Sequence, residues 1–439
     1  MKFKLRAGLI AVCSAVAVSC AGGGSNDPGE SAAGFPAPLC GIVLWGSNPD
    51  MEEYASSVTL EFSYFYYSDV ADDDGTGGYS YDWSVVDAFV QAAVARGHHA
   101  IVRFRDTDPE LGSAERSLPE SLWAHARNAK YDEGIEGATQ KTVVFPDWTN
   151  PDLAVFIIEF YQHLASRYPD QGTGLGYVEV GFGLWAEYHI DYDNLSGFSD
   201  PETATREGAL GKLFPSRDDQ VRILDAIDNA LVNVPWGISV DAADTGFGPY
   251  ASTPTASAPR FGLFDDSLLH AGWKAENRPN WDFFGDRRRA AHNGGEFSYY
   301  TENDQRYALR LPGGPNGFGL AEAARECYLS FVIGDGQTDY RTPAEVASAG
   351  ALLGYSLVVV SVTPSGDTTT VRVRNDGAAA VTYDIFAKFG DTSSAETLKG
   401  LMPGSERDLV VNSSDSRVED LSFFSPVLLA GQRIPFAAR

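Results

Sequence analysis

Four cysteines in 439 residues are too few for a disulfide scaffold. No CxxC pair, no HExxH and no histidine–cysteine cluster at ligand spacing occurs, which excludes the common zinc patterns. The sequence therefore asks for no metal and no cofactor. Basic residues are scarce too: 33 Lys+Arg against 60 Asp+Glu give a formal net charge of −27, a surface that repels nucleic acid and anionic lipid headgroups. No repeat of solenoid period is present.

What is there begins with an export signal. Met1-Lys-Phe-Lys-Leu-Arg6 is basic, and the apolar run Ala7 to Val18 that follows is too short to span a bilayer as a mature helix. Ala17-Val-Ser-Cys20 resembles the lipobox of bacterial lipoproteins, which implies that Cys20 becomes the lipidated first residue. Loss of residues 1–19 removes Lys2, Lys4 and Arg6, so the charge becomes −27 − 3 = −30. Residues 21–38, rich in glycine at their start, read as a flexible tether. Ala21 in place of aspartate points to sorting to the outer membrane, so the only membrane contact expected is the N-terminal lipid. Cleavage by ordinary signal peptidase would instead give a secreted soluble protein. Cys40 and Cys327 then remain, either as a disulfide that an oxidising compartment permits or as two buried thiols.

From residue 40 onward, short apolar strands alternate with amphipathic helices. Strands are expected at Cys40–Gly46, Val58–Tyr67, His99–Phe104, around Tyr177, at Trp236–Asp241, Phe261–Asp265, Glu296–Tyr300 and Tyr328–Ile333. Helices are expected at Trp83–Arg96, Pro151–Arg167, Ser216–Val232, Trp281–Ala291 and Leu320–Cys327. Eight strands separated by helices predict an α/β fold, a TIM-like (β/α)8 barrel over 39–353. Beyond Gly354 helices stop, and Tyr355–Val362, Thr368–Arg374, Val381–Phe386 and Arg407–Val411 predict an all-β sandwich over 354–439.

Chemistry concentrates in two places. Tyr177-Val-Glu-Val-Gly-Phe-Gly-Leu-Trp-Ala-Glu-Tyr-His189 is a buried strand that breaks at glycines and delivers Trp185, Glu187 and His189 where a barrel keeps its functional residues. Aromatic neighbours would desolvate Glu187 and raise its pKa, as a general acid requires; a surface glutamate is the alternative. His292-Asn-Gly-Gly-Glu296 places a second glutamate after two glycines, so that Glu187 and Glu296 form the carboxylate pair that glycoside hydrolysis uses. Glu296 is alternatively half of a structural ion pair. Arg103 on the preceding strand is positioned to pair with Glu179 in support of the site. Asp241 and Asp265 end strands and could hold sugar hydroxyls, though caps and turns use aspartate as well. Tyr64, Tyr66, Tyr67, Trp148, Trp185 and Trp273 are candidate stacking surfaces, or core.

These segments resemble a family. Tyr81-Asp-Trp83 with Asp87 and Ile101-Val-Arg103 look like segments of sugar-cleaving barrel enzymes, and Val178 to His189, Asn293-Gly-Gly-Glu296, Leu353-Gly-Tyr355 and Asn375-Asp-Gly377 are similar, in order, to motifs of a bacterial secreted family, domain of unknown function 4832. The resemblance covers roughly residues 40–410 and implies a glycosidase-like barrel with Glu187 after strand four and Glu296 on strand seven. That placement is similar to retaining glycosidases whose first glutamate is acid/base and whose second is nucleophile. The chain departs from the pattern at Ala186, where that clan has asparagine and the family glycine, and at Tyr188, where the family has tryptophan. The expected function is hydrolysis of a β-linked poly- or oligosaccharide with retention, or, alternatively, carbohydrate binding without catalysis at the cell surface.

Overall fold

The computed structural model describes residues 35–110, 115–131, 141–189, 195–196, 206–243, 259–414 and 416–438. The export signal, Cys20 and the tether as far as residue 34 lie outside the described residues. Eight strands form one closed sheet: β1 (Gly41–Trp45), β2 (Leu60–Tyr66), β3 (His99–Arg105), β4 (Leu175–Val180), β5 (Trp236–Ser239), β6 (Gly262–Leu268), β7 (Gly294–Phe297) and β8 (Phe331–Ile333). Neighbours in sequence are neighbours in the sheet, every pairing is parallel, and β8 returns to β1. This is a (β/α)8 barrel.

Local chemistry explains the helices around it. α1 (Ser84–Ala95) follows Trp83 and stops before Gly97, which takes a left-handed φ of 82°. α2 (Pro151–Arg167) starts where Asn150 accepts from the Asp152 amide, with proline in the first turn, and α3 (Arg217–Ala230) starts on the Ser216 hydroxyl. α2 buries Leu153, Phe156, Ile157, Phe160, Tyr161 and Leu164, spaced as one helical face, against the outward side of the sheet, where Phe160 meets Phe104.

Two sequence expectations change here. The predicted helix Trp281–Ala291 is two shorter ones, α4 (Asn277–Phe283) and α5 (Arg287–Ala290), because Gly285 between them adopts φ 53°. The strand expected to end at Asp265 runs on to Leu268, because the buried Asp265 carboxylate is neutralised by side-chain donors and needs no loop. α6 (Leu320–Cys327) coincides with its prediction.

The C-terminal sheets are built from β9 (Leu357–Ser365), β10 (Thr368–Asn375), β11 (Phe386–Phe389), β12 (Thr392–Ser393), β13 (Glu406–Val411), β14 (Leu421–Phe424) and β15 (Phe436–Ala438). One runs β13-β10-β9-β15 and the other β12-β11-β14, mostly antiparallel, as a sandwich requires. The predicted strand Val381–Phe386 begins only at Phe386. Val381 and Ile385 instead bond to the turn at Leu398–Leu401, at 3.1 and 2.8 Å.

One hydrophobic cluster joins the two units. Val43, Phe62, Ile101, Tyr177 and Phe331 fill the lower barrel interior, and Ala37, Leu39 and Cys40 link them to Tyr355, Leu357 and Val373 of the sandwich. Cys40 and Cys327 are both free and buried. An apolar floor therefore fills the lower barrel interior.

Candidate active site

Side chains on a strand alternate between faces. On β3 the inward series is Ile101 and Arg103, on β4 Tyr177 and Glu179, on β6 Phe264 and Asp266, and on β7 Gly294 and Glu296. Arg103, fully buried, is the hub. Its Nε donates to Glu179 at 2.8 Å, and its Nη2 bonds both Glu179 and, at 3.1 Å, Asp266. Its Nη1 reaches Asp266 at 2.7 Å and Glu187 at 3.2 Å. The faces of Phe264 and Tyr64 lie 4.3 and 5.2 Å from its guanidinium carbon. The planar fork thus gathers three carboxylates from two strands and a loop, which a lysine could not do.

Glu187 reaches this hub because the chain after β4 turns back sharply. Trp185, Ala186 and Tyr188 have φ of 55°, 61° and 58°, three non-glycine residues in the left-handed region within four positions. The Leu184 amide bonds His189 O at 2.7 Å, and the Trp185 amide bonds Thr107 O at 3.0 Å, which holds the turn. Gly181 is required beneath it, since a Cβ there would lie 1.8 Å from the Ala186 carbonyl oxygen. Ala186 itself is fully buried.

Exposure rises from the floor upward: the side chains of Glu179, Asp266 and Glu187 are 0, 9 and 18 % exposed, so Glu187 is the carboxyl of the three most open to the mouth. Glu187 is held well above the usual carboxylate range by burial, then by the charge of Asp266, against the pull of Arg103. Glu296 is likewise held well above that range, by burial first and the charge of Asp266 next, against the pull of Arg103. Glu179 is pushed up to about 7 by burial.

Other residues expected at the site lie as follows. Asp241 sits just beyond β5, pushed up to about 7 by burial and by Asp265 and Asp266, and accepts from Asn280 at 3.3 Å. Tyr66 at the end of β2 donates to Asp108 at 2.7 Å, and Asp108 also pairs with Arg105 at 2.9 Å. Trp185 is half-buried, its ring 6.3 Å from that of His189. Trp148 packs edge-on to Phe182, and Trp273 stacks on Phe318; both are core.

Asp265 is turned away from the interior. It accepts from the indoles of Trp273 and Trp281 at 2.8 and 2.9 Å and from Asn277 at 2.7 Å. Its neighbour Asp266 occupies the place expected of it. Asp265→Ala would strand two indole N–H groups and an amide, and is expected to cost about 3 kcal/mol in urea denaturation. A loss below about 1 kcal/mol would contradict the structural role. The alternation Phe264-Asp-Asp266 is the signal available in the sequence, obscured by ending the strand at Asp265.

The fold and site define an eight-stranded parallel barrel with convergent carboxylates at the C-terminal ends of its strands, the position barrel enzymes use. Glu187 follows β4 and Glu296 lies on β7. No family model matches the chain, and no curated protein matches it. Among solved structures it is similar to a GH36 alpha-galactosidase from Geobacillus stearothermophilus in complex with 1-deoxygalactonojirimycin, at 9% identity over 86% of this chain and 55% of that one, TM-score 0.33. It is also similar to a protein from Neocallimastix frontalis, at 11% identity over 89% and 93%, TM-score 0.35. A third is the virulence factor SghA with its substrate analog salicin, at 12% identity over 64% and 52%, TM-score 0.26. The chain spans about half the length of the first and third of these. At such scores the likeness aligns no site residue.

Proposed function

We propose that this protein is a glycoside hydrolase that cleaves a β-linked poly- or oligosaccharide with retention. Glu187 serves as acid/base and Glu296 as nucleophile. The observation that carries the reading is the convergence of the two carboxyls inside the barrel mouth: Glu187, in the turn after β4, bonds the Arg103 hub, and Glu296 on β7 lies close enough to feel the charges of Asp266 and Arg103. In the first step Glu187 protonates the glycosidic oxygen as Glu296 attacks the anomeric carbon. The Glu187 carboxylate then draws a proton from water, which displaces Glu296 and restores both groups. Their placement after β4 and on β7 supports the assignment drawn from the resemblance in sequence.

A screen of residues 21–439 against aryl β-glycosides and plant and algal polysaccharides tests this. Released phenol or reducing sugar, with the β-anomer formed first by proton NMR, is the expected result. A second reading, carbohydrate binding without turnover, draws on the ion pair that ties Glu187 to Arg103. Glycan binding with no product on every substrate would favour it.

The raised pKa of Glu187 sets a pH dependence. An acid whose pKa is raised stays protonated further into neutral pH, so activity is lost as pH climbs through that raised value. Asp266→Asn removes the neighbouring charge and offers an amide donor that stabilises ionised Glu187. The alkaline limb of the kcat profile is therefore expected to move to lower pH, and an unmoved limb would rule out Asp266 as a cause of the raised value.

A further inference from the structure

The acid-rich mouth also bears on which sugar it accepts. Arg103 is one positive charge against Glu179, Glu187 and Asp266, which it touches, and Glu296, which lies within reach of its field. Asp241 adds a fifth carboxyl beside Asp266, and Asp335 a sixth whose charge reaches Glu296. The next guanidinium up the strand, Arg105, is already paired with Asp108 and lies over the rings of Tyr64 and Tyr66 at 4.1 and 5.2 Å. The carboxylates therefore outnumber the positive charge available to them in the interior.

A second observation points to a ligand. Glu296 is only 7 % exposed, points inward from β7, and its Oε1 has no hydrogen-bond partner among the described residues. A buried carboxylate oxygen in that condition is satisfied by a donor brought into the barrel. At the rim, Tyr300 is 71 % exposed, with its ring 5.3 Å from that of His270. It lies near enough to Asp241 and Glu187 to feel their charges. Carboxylates at the bottom and an open tyrosine face at the edge are the combination that recognises an ammonium group, by charge and by cation–π attraction.

We infer that the barrel mouth takes an amino sugar, its ammonium group received by the carboxylates around Glu296 and its ring by Tyr300. This rests on the glycosidase reading only for what happens to the sugar afterwards. Sugars with carboxylate or sulfate substituents are excluded, because each would bring a further negative charge to this cluster. Binding of the ammonium ion ionises carboxyls that hold protons in the empty site, so protons are released on binding.

The test is calorimetric titration of the wild-type protein with glucosamine and galactosamine, their N-acetyl forms, glucose, galactose and the two uronates. None of these has a glycosidic bond to cleave. Measurements at about 0.15 M salt suppress attraction by the exposed surface charge. The expected result is about ten-fold or tighter binding of one amine over its N-acetyl and neutral counterparts, with proton release seen as a buffer-dependent enthalpy. Glu296→Gln should reduce that preference. Equal or undetectable binding of amine and parent sugar, or preference for a uronate, overturns the inference. Turnover of neutral glycosides with no amine preference would leave the hydrolase reading standing, whereas amine binding without turnover of any amino-sugar glycoside would leave the inference standing alone.

Discussion

Arg103→Met is expected to lower the unfolding free energy by about 3–5 kcal/mol, a large share of the roughly 5–15 kcal/mol that holds a typical domain folded. The cause is not the lost attraction alone. Arg103 is fully buried and bonds Glu179, Glu187 and Asp266, so its removal leaves three carboxyls without a counter-charge in the barrel interior. They can respond only by taking up protons, which limits the loss but does not abolish it. Arg103→Lys keeps the charge but not the fork, and should fall between wild type and methionine. Arg103→Met combined with Glu179→Leu removes one orphaned carboxyl and should recover part of the loss. Guanidinium denaturation of the four proteins measures all of this. A single variant within about 1 kcal/mol of wild type would show that the network is not holding the barrel together.

The second large effect is on turnover. Glu296→Gln removes the attacking carboxylate while preserving its shape, and kcat is expected to fall by about 10³-fold or more. Glu187→Gln removes the proton donor, and the loss should depend on the substrate. With an alkyl leaving group it should be about 10²–10⁴-fold, and with an activated phenol, which leaves without a proton, the bond-cleavage step should suffer far less. The split between leaving groups identifies an acid, because a merely structural role for Glu187 would reduce both alike. Steady-state kinetics on matched aryl and alkyl glycosides gives the comparison, with circular dichroism to confirm folding.

Much of the barrel was legible because its signals are local and repeated: buried apolar strands, glycine stops, and helices opened by Asn150 and Ser216. Glu187 and Glu296 are legible for related reasons, Glu187 beyond an apolar strand that breaks at glycines and Glu296 directly after Gly294-Gly295 at the start of a strand. The third carboxylate did not. Asp265 and Asp266 are adjacent and chemically identical, and only the true length of β6 with its alternation decides which faces the arginine. Tyr299 and Tyr300 were read as part of a strand, whereas β7 ends at Phe297 and Ser298 turns the chain by bonding Leu268 O at 3.1 Å and Asp304 at 3.1 Å. Trp148 and Trp273 illustrate the opposite failure, since an aromatic ring is as useful to a core as to a sugar and sequence does not distinguish the two. The sharing of one guanidinium among β3, β4, β6 and the turn after β4 is a property of the closed sheet, and no single segment announces it.

The central claim is that Glu296 forms a bond to sugar. It is tested most directly with a 2-deoxy-2-fluoro glycoside bearing an activated leaving group, in whichever sugar the screen shows to be turned over. The fluorine slows both steps and the leaving group restores the first, so that the glycosyl-enzyme accumulates. Peptide mass mapping is expected to find one fluoroglycosyl adduct on Glu296, absent from Glu296→Gln. Loss of activity with no adduct, or an adduct on Asp266 or Glu187, would contradict the assignment.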